Sequence, residues 1–431
     1  MSKISFIATG DSFITRRIPD KNSKSFNELT NLIKSADAKF TNLEITTHNF
    51  EGYPAANSGG TWAVAPPYVI DELLEYGFNL FAWGNNHTLD YSHGGLLATQ
   101  KYLDDFKLVH AGAGKNLSEA STPKYLETPN GRVALIACTS TFPEGAEAGQ
   151  QRKDIIGRPG INPLNFETLY QTPEQYIKNL KEISKKTYIN AARELAIEEG
   201  YELMDDNKTV VFGNLKFIQG ENFQTKTTPS LIDIDRIIKS IEEAKRQSDY
   251  VIFSIHFHEM EGKDKSKPAQ FAKEASRIAI DYGAHCVIGH GPHILRGIEL
   301  YKGKPIFYSL GNFIFQNETV SHLPADFYNK YSLGNNHCVA DAFDTRTAEN
   351  TKGLGVDPQV WHSILPFWEM NDGELTKIEL YPIELGFEEP RYRRGWPLLS
   401  KKTEVLEEIQ NLSKPFGTEI KIENGKGIIE F

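Results

Sequence analysis

Ile4-Ser5-Phe6-Ile7-Ala8-Thr9-Gly10-Asp11 decides how this sequence folds: a strand-like apolar run, Ile4 to Thr9, ends on a glycine and a carboxylate. The same order recurs along the chain. Glu44 follows the strand-like run Ala38 to Leu43, and Asn85-Asn86-His87 follows Asn79 to Trp83 through Gly84. His256 follows Tyr250 to Ile255, His290 and His293 follow Cys286 to Ile288 through Gly289, and Asn312 follows Ile306 to Leu310 through Gly311. In an open parallel sheet the carboxyl ends of the strands share one edge, so residues some 300 positions apart in sequence converge there.

Amphipathic segments separate these runs: Phe26 to Ser35, Tyr68 to Tyr76 before Gly77, Gly94 to Phe106, Asp233 to Gln247, and Ala269 to Tyr282 before Gly283. Strands alternating with helices predict an α/β fold, with both halves in one sheet system. Between the halves, residues 145–230 turn rich in Gln, Lys, Asn and Glu and read as a mainly helical insertion. A long polar helix over 173–199 and a hairpin from Val210 to Phe217, turning at Gly213-Asn214, are predicted there. Such a segment suits a cap over a cleft or a solvated decoration equally. The domain expected spans 1–390, with 391–431 as a C-terminal extension packed on it.

The 431 residues carry 47 Lys+Arg against 57 Asp+Glu, a net charge of -10, and 25 Phe, 18 Tyr and 5 Trp. This aromatic content suffices for a sizeable core. An acidic balance without basic blocks argues against a nucleic-acid partner, since phosphate-backbone binding needs a concentrated basic surface. Cys138, Cys286 and Cys338 lie far apart without a C-x-x-C pair, so neither disulfides nor a cysteine zinc site is expected. No apolar stretch reaches the ~18 residues of a membrane span, and no signal-peptide core is visible; a cytoplasmic location is expected.

Taken singly, Asp11 reads as a cap, Asn85 and Asn86 as turn formers, and His256 as a core histidine. Together they form an oxygen-and-imidazole set suited to Mn, Fe or Zn, ions that polarise a phosphoryl or carbonyl oxygen. His258 alternates with His256 and would share its face, as ligand or rim residue. His93 would border the cleft, whereas His48, His110, His285, His322, His337 and His362 lack a strand-end context.

Gly10-Asp11, Asn42-Leu43-Glu44, Asn85-Asn86-His87 with Asp90, His256, Gly289-His290-Gly291-Pro292-His293 and Tyr308-Ser309-Leu310-Gly311-Asn312-Phe313 occur in that order. The set resembles the CapA family, associated with bacterial poly-γ-glutamate capsule synthesis. That family is similar to the calcineurin-like metallophosphoesterases, so the resemblance implies a four-layer α-β-β-α sandwich with ligands at strand ends. It implies Asp11, Glu44, Asn86, His256 and His293 as metal ligands, His87 as proton donor and Asp90 as the group orienting its ring. Asp11 and His293 would also act in catalysis, while Asn85, His258, His290 and Asn312 would meet substrate. Two departures stand out. Ser12-Phe13 replaces the x-His of an Asp-x-His motif, and Gly291-Pro292-His293 stands where His-x-His is usual, unless His290 fills the gap. One or two divalent metals are implied; a single metal on Glu44, Asn86 and His256, or none, is also compatible.

Three functions follow. The first is a metal-assisted hydrolase or transferase acting on a phosphoester or a glutamate-rich peptide. The second is a metal-independent peptide epimerase or racemase using Asp11 and His293 as its acid-base pair. The third is a non-catalytic protein binding a small molecule, a peptide or a poly-glutamate chain. An anionic polymer needs a basic pocket, for which Arg152, Lys153 and Arg158, or Arg391, Arg393 and Arg394, are the candidates.

Overall fold

The computed structural model describes residues 3–204 and 208–430; the chain ends and residues 205–207 of the insertion lie outside the described residues. The fold is mixed α/β with two large sheets, where the alternation of strands and helices alone suggested one sheet system and the resemblance two. Strands Ile4–Phe13, Ala38–Leu43, Leu80–Ala82 and Val109–Ala111 run parallel, in that order, within a ten-stranded sheet. Strands His362–Asn371 and Glu374–Glu384 extend it antiparallel beyond Ile4–Phe13. A six-stranded sheet has Gly131–Thr139, Tyr250–His256, Cys286–His290 and Lys304–Leu310 parallel at its centre.

Alternation within the strands explains the packing. Phe6 and Ala8 enter an apolar core shared with Val133, Leu135, Ile252 and Ile288 of the other sheet. Ile7 points the other way, into a cluster with Leu29 and Ile33 of helix Lys24–Lys34 and Leu73 of helix Tyr68–Tyr76. In the second sheet Val251, Phe253 and Ile255 meet Ile237 and Ile241 of helix Leu231–Gln247 and Ala275 of helix Gln270–Tyr282. Strands buried on both faces read as continuous apolar runs, and such runs do not reveal how the strands divide between sheets.

The stretch after 391 is built into this framework. Helix Glu404–Ser413 puts Val405, Leu406 and Ile409 into the core between the sheets, and strand Lys426–Ile429 pairs with Glu374–Glu384. The insertion differs from the mainly helical expectation. Strands Phe166–Thr172, Thr209–Phe212, Leu215–Gln219 and Gln224–Pro229 form a four-stranded sheet, including the predicted hairpin at Gly213-Asn214. The predicted long helix is two, Glu174–Thr187 and Ala191–Glu198, separated where Tyr188 turns left-handed at φ 55. Among the described residues no helix is long and apolar enough to cross a membrane.

One backbone crossing positions the site. A Cβ on Gly10 would lie 1.8 Å from the carbonyl oxygen of Gly311, so only glycine fits there. Next to it the Asp11 N–H donates to the same carbonyl, at 3.1 Å, tying the first strand end to the last.

Candidate metal centre

Asp11, Glu44, His256, His258, His290 and His293 come together. Three overlapping sets, Asp11/His256/His290, Glu44/His256/His258 and Asp11/Glu44/His293, each place their ligand atoms within 4.8 Å of one another. All six side chains are buried except His258, which is partly exposed at the rim. His293 holds a left-handed backbone, φ 61, a costly conformation for a non-glycine residue and one that concentrates at functional sites.

Glu44 is the most unusual member. Both its carboxylate oxygens are buried and accept no hydrogen bond from any described residue. Oε1 stands 3.8 Å from His256 Nε2 and 3.8 Å from His293 Nε2. Burial, then the nearby Asp11 and Asp90, holds this carboxyl well above its usual range. A second buried oxygen without a partner, Asn86 Oδ1, belongs to a side chain whose Nδ2 is fixed on Gly59 O at 3.0 Å. Buried polar groups are almost always bonded, so an orphaned carboxylate between two imidazoles is what a cation-binding site shows when described without its ion. The residues present fit a divalent metal.

The rings are held in a chain of contacts. Ser254 Oγ lies 2.8 Å from His290 Nε2, His290 Nδ1 lies 2.9 Å from His256 Nδ1, and His256 Nε2 lies 3.1 Å from His258 Nε2. Neutral imidazole offers one donor and one acceptor, so neutral rings satisfy this chain. Burial keeps them neutral: it lowers His290 to about 3 and His293 to about 4, and holds His256 and His258 well below the usual value. Burial also pushes Asp11 up to about 7, partly offset by hydrogen bonds from the Asn42 amide at 2.7 Å and the Gly291 N–H at 2.9 Å.

His87 and Asp90 form a separate pair beside the cluster. His87 Nδ1 lies 2.6 Å from Asp90 Oδ2, and Asp90 is fixed by the N–H groups of Gly59, at 3.0 Å, and Ala63, at 2.7 Å. Phe13, two residues after Asp11, packs edge-on against His87, ring centroids 5.3 Å apart.

The other candidate residues have the following partners. Asn85 spends its side chain on the backbone, donating to Leu43 O at 2.8 Å and accepting from His87 N at 3.0 Å. Asn312 accepts from His293 Nδ1 at 2.9 Å and donates to Val360 O at 2.9 Å, so it supports the ring of His293. His290 is buried behind His256 among the candidate ligands. His93 is exposed, outside the ligand sets. Sequence reasoning missed Asn42, whose amide holds Asp11; its place two residues before Glu44 was the available signal. Most members of the proposed basic clusters are engaged elsewhere. Arg152 pairs with Asp154, Arg158 donates to Glu147 O, Arg391 and Arg394 engage Glu318, and Arg393 lies over Tyr392.

The neutral histidines predict acid sensitivity. His48 and His285 at about 4, His290 at about 3 and His293 at about 4 all lie below the 6.5 of an unfolded histidine. Between pH 6.5 and pH 4 the unfolded chain therefore binds more protons, so this stabilisation is complete above pH 6.5 and lost as pH falls. Asp11, raised from 3.8 to about 7, acts with the opposite sign in that window, as do Glu44 and Asp90, also raised; His110, His256 and His258, also lowered, add to the four, so seven histidines stand against three carboxyls. In the presence of chelator, the urea midpoint should fall steadily from pH 6.5 to pH 4; a flat or rising midpoint would contradict the neutral-imidazole assignment.

Comparison with known proteins gives the family. The model for the bacterial capsule synthesis protein PGA_cap matches residues 5–317, the span from Asp11 to Asn312 included. Uncharacterized protein y4sH of Sinorhizobium fredii (strain NBRC 101917 / NGR234) is 33% identical over 98% of this chain and 92% of its own length. Capsule biosynthesis protein CapA of Bacillus anthracis is 23% identical over 73% of this chain and 60% of its own. PGA biosynthesis protein CapA of Bacillus subtilis (strain 168) is 29% identical over 38% of this chain and 53% of its own. With most of its length and its whole strand-end cluster inside the match, the chain belongs to the PGA_cap family of bacterial capsule synthesis proteins.

Proposed function

We propose that this protein is a metal-assisted hydrolase or transferase with a metallophosphoesterase-like α-β-β-α fold. Its substrate would be a phosphoester or an amide bond of a glutamate-rich peptide, in poly-γ-glutamate capsule-type biosynthesis. The observation that carries the reading is Glu44, a fully buried carboxylate with neither oxygen bonded, placed among imidazoles. Asp11, Glu44, His256, His258 and His293, with Asn86, would hold one or two ions of Mn, Fe or Zn, and His290 completes the set around Asp11 and His256. A divalent ion bound there would polarise the scissile group and lower the pKa of coordinated water.

The chain's own residues supply the remaining steps. Asp90 engages His87 Nδ1, which leaves Nε2 as the ring atom that gives a proton to the leaving group. The N–H groups of Gly59 and Ala63 fix Asp90, so the imidazole is held in one orientation before substrate arrives. Asn312 does the same for His293, and Asn42 for Asp11.

The epimerase reading has less support. Asp11 Oδ2 and His293 Nδ1 are 3.9 Å apart, and each already has a partner, Gly291 N and Asn312 Oδ1. Exchange at a carbon needs two groups on opposite faces of the substrate. The test is an assay of aryl phosphate and γ-linked glutamate oligomers before and after chelation, run in deuterated water. Turnover lost on chelation and restored by Mn or Zn, without deuterium at Cα, is expected. Chelator-insensitive turnover with deuterium at Cα would replace this reading by epimerisation, and binding without turnover would replace it by a non-catalytic role.

A further inference from the structure

Phe315 packs its ring on His293, centroids 5.1 Å apart, and also lines a cavity of about 360 Å³. Two cations from unconnected parts of the chain line that cavity: Lys265 on strand Asp264–Pro268 and Arg346 on helix Val339–Thr347. Of its two carboxylates one is charge-paired and the other keeps its charge. Glu318 is engaged by Arg391 and Arg394, and Asp357 accepts from Gln359 N at 3.1 Å. The contacts of Arg346 are neutral: Nη1 donates to Thr61 Oγ1 at 2.7 Å, and the guanidinium lies over Phe327.

Lys265 is exposed, but its backbone is anchored. Its carbonyl accepts at 2.9 Å from Nε of Arg296, a fully buried guanidinium that also binds the carbonyls of His258 and Glu259, both at 3.0 Å. The rim histidine and the lysine strand are thus held by one side chain. Lys265 lines a second cavity too, about 770 Å³, where Lys263 and Lys267 stand with the carboxylates of Glu261 and Asp264, the latter 3.5 Å from Lys267 Nζ, so the space continues outward with mixed charge.

We infer that the cavity beside Phe315 is a subsite for a substrate carboxylate carried next to the bond that is broken, with Lys265 and Arg346 as its cations. The inference rests on the hydrolytic reading of the neighbouring centre. A planar guanidinium fork and one ammonium suit the shape and charge of a carboxylate, and the cavity beyond has room for further acidic residues of an extended peptide.

The experiment is calorimetric titration of the full chain with a γ-linked glutamate pentamer, its α-amidated counterpart and inorganic phosphate. Lys265→Met and Arg346→Gln should each weaken pentamer binding by about tenfold, the scale of one charge-assisted hydrogen bond. Lys265→Arg should retain it, metal content should not change, and the amidated pentamer should bind weakly to every variant. Unchanged pentamer affinity in properly folded variants, or equal affinity for the amidated form, would overturn the inference. Weakening confined to inorganic phosphate would overturn the carboxylate assignment. Variant-sensitive pentamer binding without turnover would leave the subsite standing and fell the hydrolytic reading. Metal-dependent turnover indifferent to both variants would do the reverse.

Discussion

Replacing His87 by alanine is expected to lower kcat by about 10²–10⁴-fold, the usual worth of a positioned general acid, with KM and metal content close to unchanged. His87 is bonded at 2.6 Å through Nδ1 to Asp90, which leaves Nε2 for proton transfer. Asp90 is itself buried, and burial raises its pKa while the His87 imidazole and the Gly59 and Ala63 N–H groups act against that rise. Asp90→Asn should therefore also lower kcat, by letting the ring reorient and take the wrong tautomer, and should alter the pH-rate profile. A structural role would move stability and leave that profile alone. A kcat for His87→Ala near that of the unchanged protein would remove this imidazole from the chemistry.

Glu44→Gln should produce two effects of opposite sign. Turnover is expected to fall by about 10³-fold or more, because the variant loses the anionic oxygens around which the candidate ligands gather. Stability of the metal-free protein should hold or rise slightly, because the amide cannot take on the charge that burial and the nearby Asp11 and Asp90 disfavour. Added Mn or Zn should raise the urea midpoint of the original protein but not of the variant. A metal-free variant that is several kcal/mol less stable would mean that Glu44 is satisfied by protein contacts and is not waiting for a cation.

The strand ends were legible because each apolar run stops on a glycine or a short polar cluster, and strand-end geometry leaves few places for those groups to go. Ile4 to Asp11 illustrates it: the glycine needed for the crossing with Gly311 directly precedes the carboxylate that needs positioning. The division into two sheets was implied by the resemblance but not legible in the strands themselves, since Tyr250 to Ile255 is buried on both faces and its partner strands leave no mark on its sequence. The insertion was misread for another reason. Its strand Gln224–Pro229 is polar and mostly exposed, so neither alternation nor an apolar run announces it, and the break at Tyr188 carries no glycine or proline. Within the site, a sequence shows the polar groups of Asn85 and His290 but not the neighbours they bond, Leu43 O and His256. That Lys265 and Arg346 line one cavity was invisible for a related reason: scattered cations meet only once the hairpin and the helix are placed.

The most direct test of the metal centre is elemental mass spectrometry of protein purified without chelator or metal-affinity resin, alongside the Glu44→Gln and His256→Ala double variant. One or two equivalents of Mn, Fe or Zn in the original protein, lost in a variant that still folds, is the predicted result. Original protein that holds no metal even after Mn or Zn is supplied would contradict the account.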